Sequence, residues 1–368
     1  MVSADERAVA AATLASLPLI TPHRIRRMLD GCGDPVAALA AVRAGRAARF
    51  IGRCEEADPA TLAVSWRELA ESRVVERRLR ERQTRVWISD DDDYPVPDPL
   101  PDRPPVLLSE GERPDAFDAA RVAIVGSRAA TPHGLADARE LGGYVADAGV
   151  TVVSGLAIGI DGAAHEGALD AGGLTVGVVA TGLDVTYPRR HRDLYARVRE
   201  HGLVITENAY GAQPLPERFP PRNRIIAALA DVVVVVEAGR RGGALITARY
   251  AIDYDRALFV LPGSRRNAVA LGCNALIGDG AEVLLDPGDV LIALGRGGTR
   301  PGRWRPSGSD SPSDRDEAAV LRALGGDPAT AEDLERHTKL GPARLGGALT
   351  RLERAGLVRR QRGLWWPI

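Results

Sequence analysis

A chain of 368 residues with 45% hydrophobic side chains can bury one large core and carry one or two small satellite domains, so two to three domains are expected. A formal net charge of -1 excludes a molecule that holds polyanions by its overall charge, and any nucleic-acid site must be a local cluster. Cys32, Cys54 and Cys273 are too few and too scattered for a disulfide framework or a zinc site, and neither a signal-peptide-like start nor an apolar run of about 18 residues is seen, so a cytoplasmic protein without a membrane span is expected.

From Asp5 to about Arg85, apolar residues recur at helical spacing through Val9, Leu14, Leu17, Ile25 and Leu29, and again from Leu69 to Leu79. That spacing predicts a small helical domain over residues 1–85. Within it, LPLITPHRIRRMLDGCGDP combines a Thr21-Pro22 helix start, a basic face and a Gly turn, the parts of a helix-hairpin-helix that grips a nucleic-acid backbone. Plain helical packing is the simpler account of the same residues. Asp90–Asp93 and the proline-rich run to Pro105 read as a connector that ends in an extended segment, Pro105–Ser109.

The period then changes. VAIV (122–125), VTVV (150–153), LTVGVVA (174–180), LVIT (203–206), DVVVVVEA (231–238) and ALFVLP (257–262) are apolar runs that alternate with helical segments. Near-continuous apolar strands mean a sheet covered on both faces, so residues 86–295 are expected to form a doubly wound α/β domain with a mostly parallel sheet. Residues 296–314, rich in Gly, Pro, Ser and charge, read as a flexible linker. Three short helical patterns and an aromatic hairpin over 315–368 then predict a winged helix, whose third helix would enter a groove if it reads DNA.

Ligands of such sheets sit at the carboxyl ends of the strands. In RVAIVGSRAATPHG (121–134), Gly126 and Ser127 end the first strand just before a helix, a geometry that aims backbone N–H groups at phosphate, and Arg128 adds a forked cation. The spacing matches neither a dinucleotide fingerprint nor a P-loop, so no NAD, ATP or other cofactor is expected. Ser154 and Gly155 repeat the device after the second strand, with Asp161 placed to cap the next helix, and a Tyr187-Pro188 step follows the third. After the fourth, Arg218, Arg222 and Arg224 surround Phe219 and Asn223; after the fifth come Arg240, Arg241 and a Gly242-Gly243 turn. Guanidinium groups, a ring and an amide together suit a single-stranded nucleic acid. In an arginine-rich chain some of these cations will instead pair with acids such as Glu207 or Glu237, and Phe219 can belong to the core. Asp161 and His165, at i and i+4, could form an acid–base pair, but a helix cap beside a packed histidine is the blander reading. No nucleophile elbow, paired carboxylates or H-E-x-x-H is present, so neither catalytic nor metal-binding residues are expected.

VAIVGSR, SGLAIGID with His165, ENAYGAQP, FPPRNRII, VVEAG with GGALITAR, LPGS and GCNALIGDGA follow one another as they do in the DNA-processing protein A (DprA/Smf) family, which residues 85–295 resemble. The resemblance implies a Rossmann-like domain that binds single-stranded DNA and forms homodimers. It also implies a recombination mediator without catalysis, one that protects incoming DNA and loads the RecA recombinase during natural transformation. By motif, phosphate contacts fall on Gly126, Ser127 and Arg128, with Ser154 and Gly155 adjoining. Phe219, Arg222, Asn223 and Arg224 would line the pocket, and Arg241, Gly242 and Gly243 would complete its rim. The chain departs from the family where Gly242-Gly243-Ala244 replaces a usual Ser-Gly-Ser, losing hydroxyl donors; Thr206 for Ser and Cys273 for Thr are milder changes.

Two other functions fit parts of the pattern. One is a nucleotide-processing enzyme resembling the lysine-decarboxylase-like phosphoribohydrolases, although Ala238–Thr247 lacks the Glu of their P-G-G-x-G-T-x-x-E stretch. The other makes the α/β domain a scaffold and the winged helix a reader of double-stranded DNA.

Overall fold

Six helices open the chain: α1 (Ala4–Ala15), α2 (Pro22–Cys32), α3 (Pro35–Arg43), α4 (Ala48–Ile51), α5 (Pro59–Leu69) and α6 (Arg73–Glu81). Thr21, Asp34 and Asp58, each followed by proline, cap α2, α3 and α5 by accepting backbone N–H groups. The computed structural model describes residues 4–52, 54–296, 315–324, 328–354, 357–361 and 363–367. Leu14, Met28, Val42 and Trp66 are fully buried among these helices, and the Trp66 indole donates to the Pro18 carbonyl at 2.8 Å.

The same core takes in Ile88 of β1 (Arg85–Ile88) and Val106 of β2 (Val106–Glu110). The boundary expected near residue 85 is therefore no break in packing, and Met1–Arg300 forms one compact unit. A buried carboxylate strengthens the join. Glu110 accepts from Arg82, which follows α6, at 2.5 and 2.8 Å, and from Arg199 at 3.1 Å.

The sheet continues with β3 (Arg121–Val125), β4 (Thr151–Ser154), β5 (Thr175–Val178), β6 (Gly202–Thr206), β7 (Val232–Val235), β8 (Ala257–Val260) and β9 (Glu282–Val283), in the order β1-β2-β6-β5-β4-β3-β7-β8-β9. From β6 to β9 every neighbouring pair is parallel, whereas β2 pairs antiparallel with both β1 and β6. This is the Rossmann-like, mostly parallel sheet expected from the apolar runs. Side chains alternate between its faces: Val122, Ile124, Val232 and Val234 pack on one, and Ala123, Val125, Val233 and Val235 on the other. Burial on both faces is why those runs are nearly continuous in apolar residues, the few buried hydroxyls such as Thr175 and Thr206 bonding to main-chain carbonyls.

Helices α7 (Pro132–Asp147), α8 (Ile160–Asp170) and α13 (Gly288–Ala293) cover the first face. The second face is covered by α10 (Phe219–Leu229), α11 (Ala244–Asp253) and α12 (Leu271–Gly278), while α9 (Arg192–Glu200) packs in a satellite cluster with β6. Small residues let α7 and α8 touch backbone to backbone. A Cβ on Gly167 would lie 1.9 Å from the Arg139 carbonyl oxygen, a main-chain atom that cannot swing aside. Gly167→Ala is therefore expected to cost about 1–3 kcal/mol through helix displacement, read as a fall in the thermal midpoint. An unchanged midpoint would show that the two helices slide apart freely.

The second unit, Pro301–Ile368, contains α14 (Arg315–Leu324), β10 (Ala329–Thr330), α15 (Ala331–Thr338), α16 (Pro342–Arg354), β11 (Val358–Gln361) and β12 (Leu364–Pro367), with strand order β10-β12-β11. Three helices around buried Val320, Leu334, Leu349 and Leu352, closed by a hairpin, make the winged helix. On its third helix, Arg344 and Arg351 bond to Asp316 and Glu317 of α14, so part of that helix's cationic charge is used inside the domain. Residues 297–314 of the expected linker, and Arg362 of the hairpin turn, lie outside the described residues. Among the described residues no helix is long and apolar enough to cross a membrane.

Candidate nucleic-acid interface

The strand order reverses at β3, which pairs with β4 on one side and β7 on the other. A crevice is expected at the carboxyl ends of such a switch, and a cleft of ≈ 560 Å³ opens there. Of the residues expected from sequence, Gly126, Ser127, Arg128, Phe219, Arg222, Asn223, Gly242 and Gly243 line it. Ser154, Gly155, Arg224 and Arg241 do not.

The turn after β3 is built differently from the expectation of free N–H groups. Ser127 donates its N–H to the Glu237 carbonyl at 2.7 Å, and its Oγ accepts the Ala129 N–H at 3.1 Å. The helix that follows is already capped by an acid. Glu237 accepts the Thr131 N–H at 2.9 Å and the Thr131 hydroxyl, and a Cβ on Gly134 would lie 2.4 Å from its carboxyl carbon. A carboxylate thus occupies the positive end of α7. What the turn offers the cleft is Arg128, exposed and without an ion pair among the described residues. Its guanidinium lies 4.9 Å over the Phe219 ring, which meets Tyr187 at 5.6 Å and 53°. Phe219 is half-buried, neither core nor free platform.

The open helix end is that of α11. Its N-cap, Gly243, has no side chain to bond the first N–H groups; Gly242, Leu245 and Ile246 donate to the Gly239, Gly242 and Gly243 carbonyls at 3.0, 3.1 and 3.1 Å, which leaves the Gly243 and Ala244 N–H groups of a turn that lines the cleft. Asn223 holds this turn by donating Nδ2–H to the Gly243 carbonyl at 3.1 Å. The absent Ser side chains leave a backbone anion seat in place. Arg240 and Arg241, on the turn before α11, are exposed and stand away from the cleft lining.

The three arginines around Phe219 part company once α10 forms. Arg218 donates to the Gln213 carbonyl at 3.0 Å, and Arg224 turns to the opposite side and pairs with Glu207 at 2.5 Å. Arg222 points inward. It is 4% exposed, and its Nη1 donates to the Gly155 carbonyl at 2.7 Å and to the Val178 carbonyl. Asp161, expected as a helix cap, is instead the second residue of α8 behind Gly159, and accepts the Gly155 N–H at 3.1 Å. Gly155 therefore sits between two buried ions, where a Cβ would lie 2.5 Å from Asp161 Oδ2 and 2.6 Å from Arg222 Nη1. Burial raises the Asp161 carboxyl and lowers Arg222 from their ordinary values, while their mutual attraction opposes both shifts. These residues form the floor of the cleft. Ser154, wholly buried, donates Oγ–H to the Ile124 carbonyl at 2.6 Å and belongs to the sheet.

Sequence reasoning missed the role of Glu237 as a cap and of Tyr187 as the cleft's second ring. For Tyr187 the signal was available in the Tyr-Pro step after β5; for Glu237 none was, since its partner Thr131 lies 106 residues away. Beside the main cleft, a second one of ≈ 450 Å³ shares Arg128 and adds Arg139, Arg190 and His191.

Residues 85–295 match the family model described as DNA recombination-mediator protein A, and residues 305–363 match that of the DprA winged helix domain. The chain belongs to the DNA recombination-mediator protein A (DprA) family. It is 36% identical over 356 residues to a DNA processing protein DprA of Mycobacterium tuberculosis, covering 90% of each chain. With the Streptococcus pneumoniae DprA it shares 42% identity over 187 residues, 51% of this chain and 66% of that one. The X-ray structure of the S. pneumoniae DprA superposes with a TM-score of 0.64 at 32% identity, over 78% of this chain and 97% of that one. A Helicobacter pylori DprA structure, described for its single-stranded DNA binding mode, superposes with a TM-score of 0.51 at 30% identity, over 58% and 95%. The two milder departures of this DprA family member are absorbed in its core. Thr206 donates to the Val179 and Thr181 carbonyls at 3.1 and 2.9 Å, and Cys273 is fully buried, its thiol pushed up to about 11 by burial.

Proposed function

We propose that this chain binds single-stranded DNA in the cleft at the β3–β7 switch, protects it, and hands it to the RecA recombinase during natural transformation. The observation that carries this reading is that the Arg128–Phe219–Tyr187 stack shares the cleft with the Gly243 and Ala244 N–H groups at the start of α11. A cation and a helix terminus follow the phosphates while rings receive bases, and none of these groups selects sequence. The relationship to the H. pylori protein described as a single-stranded DNA binder supports it. The protein works without catalysis, in the cytoplasm and as a homodimer formed through the Rossmann-like domain. The cleft's single carboxylate, Asp161, is locked under Gly155 rather than presented as a base.

Fluorescence anisotropy with labelled single- and double-stranded oligonucleotides over a salt series tests the reading. Preference for the single strand is expected, with Arg128→Ala weakening binding about tenfold and reducing the salt slope by about one. The fold should be untouched, since Arg128 is exposed. Equal affinity for both DNA forms, or an Arg128→Ala variant that binds like the parent, would sink it. RecA loading is read separately, as faster filament growth on strands the protein has coated.

A further inference from the structure

The start of α10 is a ridge with a cavity on either side. Phe219, Arg222 and Asn223 face the first cleft, whereas Pro221 and Arg224 face a second cavity of ≈ 380 Å³. The far wall of that cavity is the start of α2, with Thr21, Pro22, His23 and Arg26. A larger cavity of ≈ 680 Å³ shares Thr21, Pro22, Glu207 and Pro221 with it, so the two form one groove along the seam between the N-terminal helices and the sheet domain.

Independent features of the two walls suit an anion. On the α2 side, Thr21 Oγ1 accepts the Arg24 N–H at 3.2 Å and Pro22 has no N–H, so the His23 N–H, second in an eleven-residue helix, has no acceptor within that helix. Arg26 stands one turn further along. Its nearest carboxylate partner is Asp90 at 3.7 Å, and Nη2 donates to the Arg103 carbonyl at 3.2 Å. On the α10 side, the Arg224 side chain is 6% exposed, with Nη2 on Glu207 and a buried Nη1 that has no hydrogen-bond partner among the described residues. A guanidinium N–H withheld from both water and protein is costly; Nη1 is closed to a water-sized group, so a phosphate oxygen in the groove satisfies it once the side chain turns toward the ligand. Asp102 and Glu207 are the acids of this wall, set against Arg26, Arg103 and Arg224. Pro22, Pro101, Pro221 and Tyr250 supply apolar surface for a sugar or base beside the phosphate.

We propose that this seam is a second nucleotide subsite, which takes a phosphate and its nucleoside between the start of α2 and Arg224 after the bound strand has crossed the α10 ridge. It rests on the single-stranded DNA reading of the first cleft. A helix is about 10–12 Å across, so the strand needs only a short crossing segment to occupy both cavities. The basic α2 segment, whose sequence suggested a backbone grip, then serves the same strand as the sheet domain.

The test uses the full chain and labelled oligothymidylates of increasing length, comparing the parent with Arg26→Ala; Arg26 is 31% exposed at its side chain and outside the helical core. Strands too short to leave the first cleft are expected to bind both proteins equally. Longer strands should bind Arg26→Ala about 3–10-fold more weakly, with a salt slope lower by about one, and Arg26→Lys should restore most of the loss. Long strands binding Arg26→Ala as tightly as the parent overturn the seam subsite alone, and so does an equal loss at every length. A parent that binds no single strand overturns the first-cleft reading instead. Thymidine 5′-monophosphate provides the other arm: if it binds in an Arg26-dependent way while long-strand affinity is unaffected, the seam holds a free nucleotide and the strand path is wrong.

Discussion

Replacing Arg222 with alanine is expected to destabilise the protein by about 3–5 kcal/mol, more than it reveals about any direct contact with DNA. From sequence alone, Arg222 reads as a pocket cation whose loss weakens binding and spares the fold. The structure reverses that balance. Its guanidinium bonds two main-chain carbonyls, Gly155 and Val178, at the ends of neighbouring strands, and it is the cation nearest in effect to the buried Asp161. Without it, Asp161 stays buried with the Gly155 and Ala157 N–H groups and the weaker field of Arg128 for support. Arg222→Lys should recover little, because one ammonium cannot reproduce the fork that spans both carbonyls. Denaturant unfolding of the parent and both variants decides the matter. If Arg222→Ala unfolds at the parent's midpoint yet no longer binds single-stranded DNA, Arg222 is a ligand contact and the account of the cleft floor is wrong.

The same residue shows how far the sequence could be read. The α/β architecture was legible because strands buried on both faces are nearly continuous in apolar residues, and Val232–Val235 or Arg121–Val125 admits few other accounts. β1 was not legible: Arg85–Ile88 is a four-residue edge strand whose Arg85 covers the Trp87 ring at 3.8 Å, and it has no apolar run to announce it. Within the site, the turns were found because Gly and Ser after a strand are local signals. Their partners were not, because side-chain direction on a helix is settled by tertiary contacts. Arg218, Arg222 and Arg224 fall within seven residues of sequence yet go to three destinations. The anion seat likewise lies at α11 rather than at α7, because Glu237, remote in sequence, already fills the α7 terminus.

Acid should find a weak point at His165, which neither the cleft nor any ligand uses. The ring is wholly buried, with Nδ1 2.6 Å from Thr175 Oγ1, which itself donates to the Val152 carbonyl at 2.9 Å. Burial, with the nearby charges of His191 and Arg222 adding to it, pushes its pKa from 6.5 down to about 3. In the unfolded chain the same imidazole takes up a proton near its ordinary value. The unfolded state therefore binds more protons between the two values, and stability, intact above pH 6.5, drains away as pH falls toward 3. The limiting slope for one proton is about 1.4 kcal/mol per pH unit, so about 2–3 kcal/mol should be lost by two units below the unfolded value. Asp137 has the opposite sign. Burial raises it from 3.8 to about 6, so over that interval the folded state binds the extra proton and gains stability on acidification. Comparing the parent with His165→Gln across the pH range removes this second contribution, because Asp137 is common to both. The parent should lose stability relative to the variant as pH falls from 6.5, and parallel curves would mean that His165 is protonated in the folded protein after all.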